Sequence, residues 1–277
     1  MARLDWSSAD INLSRPSLAR MYDYNLGGSH NFAIDRRFAD EFNRVLPDLV
    51  AIHRANRSFL RRVVQFLSSI GIRQFLDLGS GIPTVGNVHE IAQRAVPESR
   101  VVYVDDDAAV VTHSNAILLD NDRTAAIRAD IREPDRILSD PVVRSLIDFA
   151  QPVGLLMFAV LHYLSDEDQP SDIVHTYRDA MGPGSYLAIS HGTADGRTGH
   201  QIHESVRVGR RNNISATMRG RTDVISMFDG FTIVQPGVVF APQWRPDTSN
   251  DHFSNEPDRS AILAAVGVKR QHETSRL

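Results

Sequence analysis

One run of the sequence, residues 74–84, combines a short apolar stretch, an acidic residue and a glycine turn. Gly79 and Gly81 lack a Cβ, so the backbone can bend sharply there and approach a ligand closely. The next residues, 85–96, carry apolar side chains at helical spacing, which predicts that the turn lies at a helix N-terminus. A strand, a glycine turn and a helix in this order form half of a βαβ unit that binds a nucleotide cofactor.

The glycine spacing separates two classes of cofactor. A dinucleotide fingerprint, G-x-G-x-x-G, would need a third glycine at the position of Thr84. The acid-x-G-x-G-x-G pattern of S-adenosylmethionine (SAM) methyltransferases fits Asp77, Gly79 and Gly81, with Pro83 in place of the last glycine. The sequence therefore favours SAM over NAD, and an NAD-dependent oxidoreductase stays as a distant alternative.

Two further predicted strands end in acidic residues. Asp105 ends the second strand, a position from which a carboxylate accepts hydrogen bonds from ribose hydroxyls. Asp107 is predicted to cap the following helix. The third strand runs into Asp130 and Ile131, an acid and an apolar side chain suited to the amine and the face of an adenine ring. An acid before a helix that starts with proline is also an ordinary helix N-terminus. The assignment of Asp130 and Ile131 to adenine therefore depends on their order and spacing in the chain.

Two histidines are predicted to flank the cleft at the carboxyl ends of the strands. The continuous apolar run at 153–160 predicts a buried central strand, and His162 follows it. His191 follows a fifth strand predicted at 186–190. Either imidazole is a candidate catalytic base if the methyl acceptor must lose a proton, whereas a carboxylate acceptor would need none. The alternative for each is a polar residue hydrogen-bonded at a strand end.

More than 70 residues precede the first strand, which is predicted from about Ile72. Helical periodicity in this stretch predicts an N-terminal helical extension over 1–71, packed as one unit with a Rossmann-like domain over 72–277. Residues 22–32 concentrate aromatic, amide and glycine residues, and we interpret them as a lid over cofactor and acceptor. Tyr24 and Gly27 are its predicted cofactor contacts, and a glycine-based helix C-cap is the alternative.

Arg54 and Arg57 lie on the last predicted helix before the first strand. An arginine there can form a bidentate contact with the carboxylate of a methionine moiety. Arg57 is the predicted cofactor residue, and a solvated helix face is the alternative for both.

Several segments spread over nearly the whole chain resemble one known family: 19–32, 54–57, 77–84, 86–90, 104–105, 129–130, 159–162 and 190–195. Together they are similar to a bacterial S-adenosyl methyltransferase family, long catalogued as a domain of unknown function. Pro83 belongs to that family's version of the glycine loop. The resemblance implies a class I methyltransferase fold, an α/β Rossmann-like architecture with a seven-stranded, mostly parallel sheet whose last strand is antiparallel. It also implies SAM as cofactor, S-adenosylhomocysteine as product and an unassigned acceptor.

The amino-acid composition excludes or disfavours several other classes of protein and site. The 277 residues, 42% of them hydrophobic, suit one large α/β domain, and a net charge of −4 disfavours a protein that binds nucleic acid through its phosphates. The absence of cysteine excludes disulfides and thiolate sites, and the scattered histidines lack metal-ligand spacing, so we predict no metal. Neither a signal-peptide core nor a membrane-length apolar stretch is present, which predicts a cytoplasmic protein with no membrane partner.

The sequence thus predicts a SAM-dependent methyltransferase that acts on a small-molecule acceptor. Lys269 is the single lysine, which removes the phosphate-loop lysine and the Tyr-x-x-x-Lys pair of short-chain dehydrogenases. A SAM-binding sensor or scaffold without transfer activity is the alternative from another class. The sequence does not predict an oligomeric state.

Overall fold

The structure is a computed structural model that describes residues 14–83, 86–247 and 251–270. The strands are β1 (Gln74–Leu78), β2 (Arg100–Asp105), β3 (Thr124–Arg128), β4 (Gly154–Phe158), β5 (Tyr186–Gly192), β6 (Phe231–Ile233), β7 (Val239–Phe240) and β8 (Ile262–Lys269). The helices are α1 (Leu18–Asn25), α2 (Ala33–Val45), α3 (Leu49–Ser69), α4 (Val88–Ala95), α5 (Ala108–Ile117), α6 (Pro134–Ser139), α7 (Pro141–Leu146), α8 (Pro170–Ala180), α9 (Gly199–Arg211) and α10 (Arg221–Ser226). In these ranges, none of the helices is long and apolar enough to cross a membrane.

The described strands form one sheet in the order β3-β2-β1-β4-β5-β8-β6, with β7 paired to β8. Strands β1 to β5 are parallel, β8 is antiparallel to β5, and β6 and β7 are antiparallel to β8. This confirms the predicted fold class, and the two-residue β7 brings the predicted seven strands to eight. The strand order reverses between β1 and β4, and open α/β sheets bind ligands in the crevice at such a point.

Helices cover both faces of the sheet, so its central strands are apolar on both sides. Along β4, Leu155 and Met157 belong to one buried cluster, and Leu156 and Phe158 belong to the cluster on the opposite face. This alternation follows from the two-residue period of a strand. It explains why the sequence shows a continuous apolar run here.

The fifth strand is longer than predicted, because β8 pairs with it as far as Gly192. His191 is therefore paired with Leu263 inside the sheet and is fully buried, and the prediction that it emerges from the strand end is wrong. Its partner strand, β8, lies about 70 residues later in the chain, so no local sequence pattern predicts that β5 extends to Gly192.

Local hydrogen bonds set the boundaries of two helices. Helix α9 ends at Arg211, because Asn213 adopts a left-handed conformation (φ 56°) and the Ile214 N–H donates to the Gly209 carbonyl. This is a Schellman-type stop. The helix predicted over 85–96 begins at Val88 because the Glu90 carboxylate accepts hydrogen bonds from the backbone N–H groups just before it. Residues 84 and 85 lie outside the described ranges.

A buried arginine joins the N-terminal helices to the sheet. Arg20 on α1 forms ion pairs of 2.9 Å with Asp35 on α2 and with Asp107, whose side chain caps α5. The Arg20 and Asp35 side chains are nearly inaccessible to solvent. Helix α1 is thereby fixed above the loop that follows β2.

We expect Arg20→Gln to lower the free energy of unfolding by roughly 3 kcal/mol, because it leaves a buried carboxylate without its cationic partner. Urea denaturation measures this, with Arg36→Gln on the exposed face of α2 as the matched control. Equal stabilities of the two variants would contradict a structural role for the Arg20 ion pairs.

Candidate active site

A cavity of about 570 Å³ lies at the carboxyl edge of the parallel strands. Its floor consists of the loops after β1 to β4, at 79–82, 105–108, 129–132 and 158–160, and helices α1 and α3 contribute its roof. The volume is in the range of small-molecule sites. The cavity lies in the crevice where the strand order reverses.

The glycine loop is possible only because two residues lack a side chain. Gly79 (φ 69°) and Gly81 (φ 62°) both adopt left-handed conformations. A Cβ on Gly79 would lie 2.3 Å from Cγ2 of Val160, which follows β4. The Gly79 N–H donates to the Val104 carbonyl at 2.8 Å, so the loop is held between the ends of β2 and β4.

Asp105 connects the glycine loop to the loop after β2. Its Oδ2 accepts a hydrogen bond from the Gly81 N–H at 2.9 Å, and its Oδ1 accepts one from the Asp107 N–H at 3.0 Å. The carboxylate is 8% exposed and lines the cavity. Burial raises the pKa of Asp105 to about 7 in spite of these two hydrogen bonds. The side chain is therefore in place to accept hydrogen bonds from a ligand once it is ionised.

Asp77, at the end of β1, lines the same cavity with 4% exposure. Its carboxylate has no hydrogen-bond partner among the residues that the structure describes. Burial raises the pKa of Asp77 to about 7, and the positive charge of Arg57 opposes that rise. A buried carboxyl group without a partner is costly unless a ligand supplies one.

Arg57 on α3 also lines the cavity, where its Nη2 donates to Oδ1 of Asn87 at 3.1 Å and to the Gly86 carbonyl at 3.3 Å. It is therefore positioned over the N-terminus of α4, next to the glycine loop. Arg54 is exposed and does not line the cavity.

The predicted adenine residues lie at the outer end of the cavity. Asp130 accepts hydrogen bonds from Nε of Arg132 at 3.0 Å and from the Arg132 N–H at 2.9 Å. Hydrogen bonding to Arg132 lowers the pKa of Asp130, which keeps its carboxylate ionised. Ile131 is 7% exposed and lines the wall beside it.

Sequence reasoning did not identify the residues at the inner end of the cavity as a group. Tyr22, Asn56, Phe158 and Tyr163 line this end. The Tyr22 hydroxyl donates to the His53 carbonyl at 3.0 Å and accepts from Nδ2 of Asn56 at 3.1 Å. The inner wall is therefore formed jointly by α1, α3 and the residues after β4.

The polar network continues into the sheet. The Ser190 hydroxyl donates to Oδ1 of Asn56 at 2.6 Å and accepts from the Ala159 N–H at 2.9 Å. Ala159 has a left-handed conformation (φ 51°), which is strained for a residue with a Cβ. No local sequence pattern marks this network, because its members come from three separate elements.

The structure does not bring Tyr24 and Gly27 to the cavity. Helix α1 lines it with Leu18, Ala19, Arg20, Tyr22 and Asp23, and Leu26 lines it just beyond the helix end. The Tyr24 hydroxyl instead lies 3.4 Å from Oδ1 of Asp40 on α2.

The two predicted catalytic histidines lie together behind the cavity wall. His162 is in a short 3₁₀ turn (Leu161–Tyr163) after β4, and its ring centroid is 5.5 Å from that of His191. Both are buried, and neither lines the cavity. Their catalytic role stays a prediction.

Comparison with known proteins supports one assignment. The sequence model of a family described as S-adenosyl methyltransferase matches residues 4–271. A crystal structure of a protein from Thermobifida fusca, assigned as a methyltransferase, is 40% identical and superimposes with a TM-score of 0.88 over 96% of this chain and 100% of that chain. A DUF574 family protein from Streptomyces avermitilis is 38% identical, with a TM-score of 0.87 over 92% of this chain and 98% of that chain.

A more distant structure is similar in fold alone. An O-methyltransferase family protein from Burkholderia thailandensis is 12% identical, with a TM-score of 0.53 over 92% of this chain and 65% of that chain. No curated protein matches the sequence. The family match over nearly the whole chain and the two similar structures agree with the fold and with the cavity at its switch point. The chain therefore belongs to the S-adenosyl methyltransferase family and is a SAM-dependent methyltransferase.

Proposed function

We propose that the protein binds SAM in the cavity between β1 and β4 and transfers its methyl group to a small-molecule acceptor at the inner end. The observation that carries this proposal is the pair of buried carboxyl groups, Asp77 and Asp105, on the cavity wall under the glycine loop. Asp77 has no partner among the described residues, and Asp105 has accepting capacity beyond its two backbone hydrogen bonds. Both fit a cationic ligand with ribose hydroxyls.

Different residues of the cavity bind different parts of SAM. Asp105 accepts hydrogen bonds from the ribose hydroxyls, and Asp130 and Ile131 bind the adenine amine and ring face. Asp77 and Arg57 bind the methionine part of SAM, and Arg57 does so by pairing with the carboxylate of that part. SAM, when bound, would supply a methyl group on its sulfonium sulfur, and a nucleophile that attacks the methyl carbon would displace the thioether directly.

The protein's own contribution is alignment and exclusion of water. The glycine loop fixes the cofactor side of the cavity, and residues 14–71, the described part of the extension predicted over 1–71, act as its lid, with α1 held in place by Arg20. The acceptor then occupies the inner end, beside Tyr22, Phe158 and Tyr163. This enclosed, partly aromatic wall favours a small molecule as the acceptor.

The hydrogen bonds of the two buried histidines leave little room for a general base. A backbone N–H can only donate, so the 3.2 Å contact from the Gly192 N–H makes Nδ1 of His162 an acceptor and assigns the ring proton to Nε2. Nδ1 of His191 donates to the Gly192 carbonyl at 2.8 Å, and its Nε2 accepts from Arg219 at 3.3 Å. Burial lowers the pKa of His191 to about 4 and that of His162 well below its usual value. These contacts favour neutral, structural histidines.

We expect Asp105→Ala to weaken SAM binding by roughly 1–3 kcal/mol, because hydrogen bonds to a charged group are lost. Isothermal titration calorimetry with SAM, S-adenosylhomocysteine and NAD measures this, with the exposed Asp120→Ala as the matched control. Unchanged affinity in the Asp105 variant would remove the ribose assignment. Binding of NAD alone would overturn the proposed function.

SAM affinity should rise with pH. Burial raises the pKa of both Asp77 and Asp105 to about 7, and the ionised forms are the ones that bind a cation and accept hydrogen bonds. Affinity should therefore increase about tenfold from pH 6 to pH 8 for each carboxylate that must be ionised. Titrations at several pH values test this, and Asp77→Asn and Asp105→Asn should each flatten the profile. An affinity that is constant over this range in the unmodified protein would contradict it.

The histidine tautomers are directly measurable. Long-range ¹H–¹⁵N spectra should show His162 protonated at Nε2 and His191 at Nδ1, and neither should titrate between pH 5 and 8. His200, on the exposed part of α9, serves as the solvent-exposed reference imidazole. A pKa near 6.5 for His162 or His191 would instead restore it as a candidate base.

A further inference from the structure

Three aromatic residues line the inner end of the cavity. Tyr22 belongs to α1, Phe158 ends β4, and Tyr163 lies in the 3₁₀ turn that follows β4. The face of an aromatic ring carries partial negative charge and attracts a cation that lies over it. The inner end can therefore bind positive charge through rings as well as through carboxylates.

The sheet places Phe158 beside the part of the site assigned to methionine. Asp77 on β1 is paired with Leu156 on β4. Side chains two residues apart on a strand point to the same face, so Phe158 lies on the same face of the sheet as Asp77. Beyond the strand ends, a Cβ on Gly79 would lie 2.3 Å from Cγ2 of Val160. The glycine loop and the residues after β4 therefore run side by side.

The contacts of Tyr22 leave one ring face for a ligand. Its hydroxyl donates to the His53 carbonyl at 3.0 Å and accepts from Nδ2 of Asn56 at 3.1 Å. The ring stacks on the imidazole of His53, with centroids 4.2 Å apart and planes inclined by 27°. Because the hydroxyl is hydrogen-bonded and one face is covered, the opposite face is the surface that Tyr22 offers to the cavity.

The other two rings are also held in place. The Phe158 ring packs edge-on against Phe59, with centroids 5.4 Å apart and planes at 88°. The turn that contains Tyr163 is held by Arg219, whose guanidinium group donates to the carbonyl groups at both ends of the turn, at 3.2 and 3.1 Å. Rings that are already ordered bind a ligand without a large loss of conformational entropy.

No cation of the protein lies over these three rings in the part of the chain that the structure describes. Of the arginines that line the cavity, Arg20 lies over the Phe32 ring, 5.4 Å from its centroid, and Arg57 donates to Oδ1 of Asn87 at 3.1 Å. The arginine–ring contacts of the described ranges all involve other aromatic residues. The cavity rings can therefore receive a cation from a ligand.

We propose that the ring faces of Tyr22, Phe158 and Tyr163 recognise the sulfonium charge of SAM and so distinguish SAM from S-adenosylhomocysteine. This inference rests on the proposed function and names the residues that read the charge of the cofactor. In the proposed orientation the sulfur joins the ribose at Asp105 to the methionine chain at Asp77. It therefore lies over the glycine loop and faces the residues after β4. A sulfonium group has no N–H to donate, and an aromatic face suits such a cation.

The same rings would respond to methyl transfer. The acceptor atom forms a bond to the methyl carbon while the bond from that carbon to sulfur breaks, and the electron pair of the broken bond stays on sulfur. The sulfur is then neutral, so its attraction to the rings is lost. The methyl group lies between the sulfur and the acceptor, and both therefore adjoin the same rings. This wall holds the substrate form of the cofactor more tightly than the product form.

The test is a calorimetric titration of the full-length protein with three ligands at one pH. They are SAM, S-adenosylhomocysteine and sinefungin, in which a carbon bearing an ammonium group replaces the sulfonium sulfur. We expect Phe158→Leu and Tyr163→Leu each to lower the ratio of the S-adenosylhomocysteine Kd to the SAM Kd by about two- to fivefold. Leucine keeps an apolar side chain but has no ring. Tyr163 is 36% exposed, so its leucine variant should remain folded.

Three control variants keep the cavity rings. Tyr22→Phe and Tyr163→Phe remove only a hydroxyl and should leave the ratio unchanged. Phe38→Leu removes a buried ring on α2 that does not line the cavity and should also leave it unchanged. Each ratio compares two ligands on the same protein, so a loss of stability in a variant cancels. Melting temperatures confirm that each variant is folded at the temperature of the titration.

The ligands separate charge from shape. Sinefungin should lose affinity relative to S-adenosylhomocysteine in the same leucine variants as SAM does. An unchanged ratio in both leucine variants, an equal fall in Tyr163→Phe, or a fall for SAM without one for sinefungin would overturn the proposal. SAM binding with an unchanged ratio overturns only this inference, whereas absence of SAM binding to the unmodified protein overturns the proposed function.

Discussion

The approach of the glycine loop to the end of β4 is the contact on which the site depends. Gly79 passes so close to Val160 that no side chain fits between them, and the same loop donates a hydrogen bond to the end of β2. The crevice exists because the strand order reverses between β1 and β4. The left-handed glycines let the backbone cross that crevice without filling it. Asp77 and Asp105 are buried beneath the loop as a result, which raises the pKa of both.

The N-terminal helices complete the cavity and are fixed to the same region. Arg20 pairs with Asp107, two residues after the predicted ribose acid, so the roof and the cofactor loop share one buried contact. The Tyr22, Asn56 and Ser190 hydrogen bonds connect the roof with the sheet at the inner end. The cavity thus has a carboxyl-rich part around the glycine loop and a partly aromatic inner end beside Tyr22, Phe158 and Tyr163. A sulfonium cofactor matches the carboxyl-rich part.

Local rules account for what the sequence could predict. Asp77, Gly79, Gly81 and Asp105 follow from strand ends and from the backbone freedom of glycine, and the structure brings all four to one cavity. The stop of α9 by the left-handed Asn213 and the capping of α4 by Glu90 are also encoded in the local sequence. Other features depend on contacts between residues far apart in the sequence, which local rules do not predict. The placement of His191 depends on β8, and the network of Asn56 and Ser190 joins elements more than 130 residues apart.

The central claim is that this cavity binds the adenosyl cofactor in one defined orientation. A crystal structure of the protein with S-adenosylhomocysteine tests it most directly. We expect the ribose hydroxyls to lie on Asp105, the adenine beside Asp130 and Ile131, and the sulfur opposite Tyr22 and Tyr163. A ligand bound outside this cavity, or bound with its adenine against the tyrosines, would overturn this orientation.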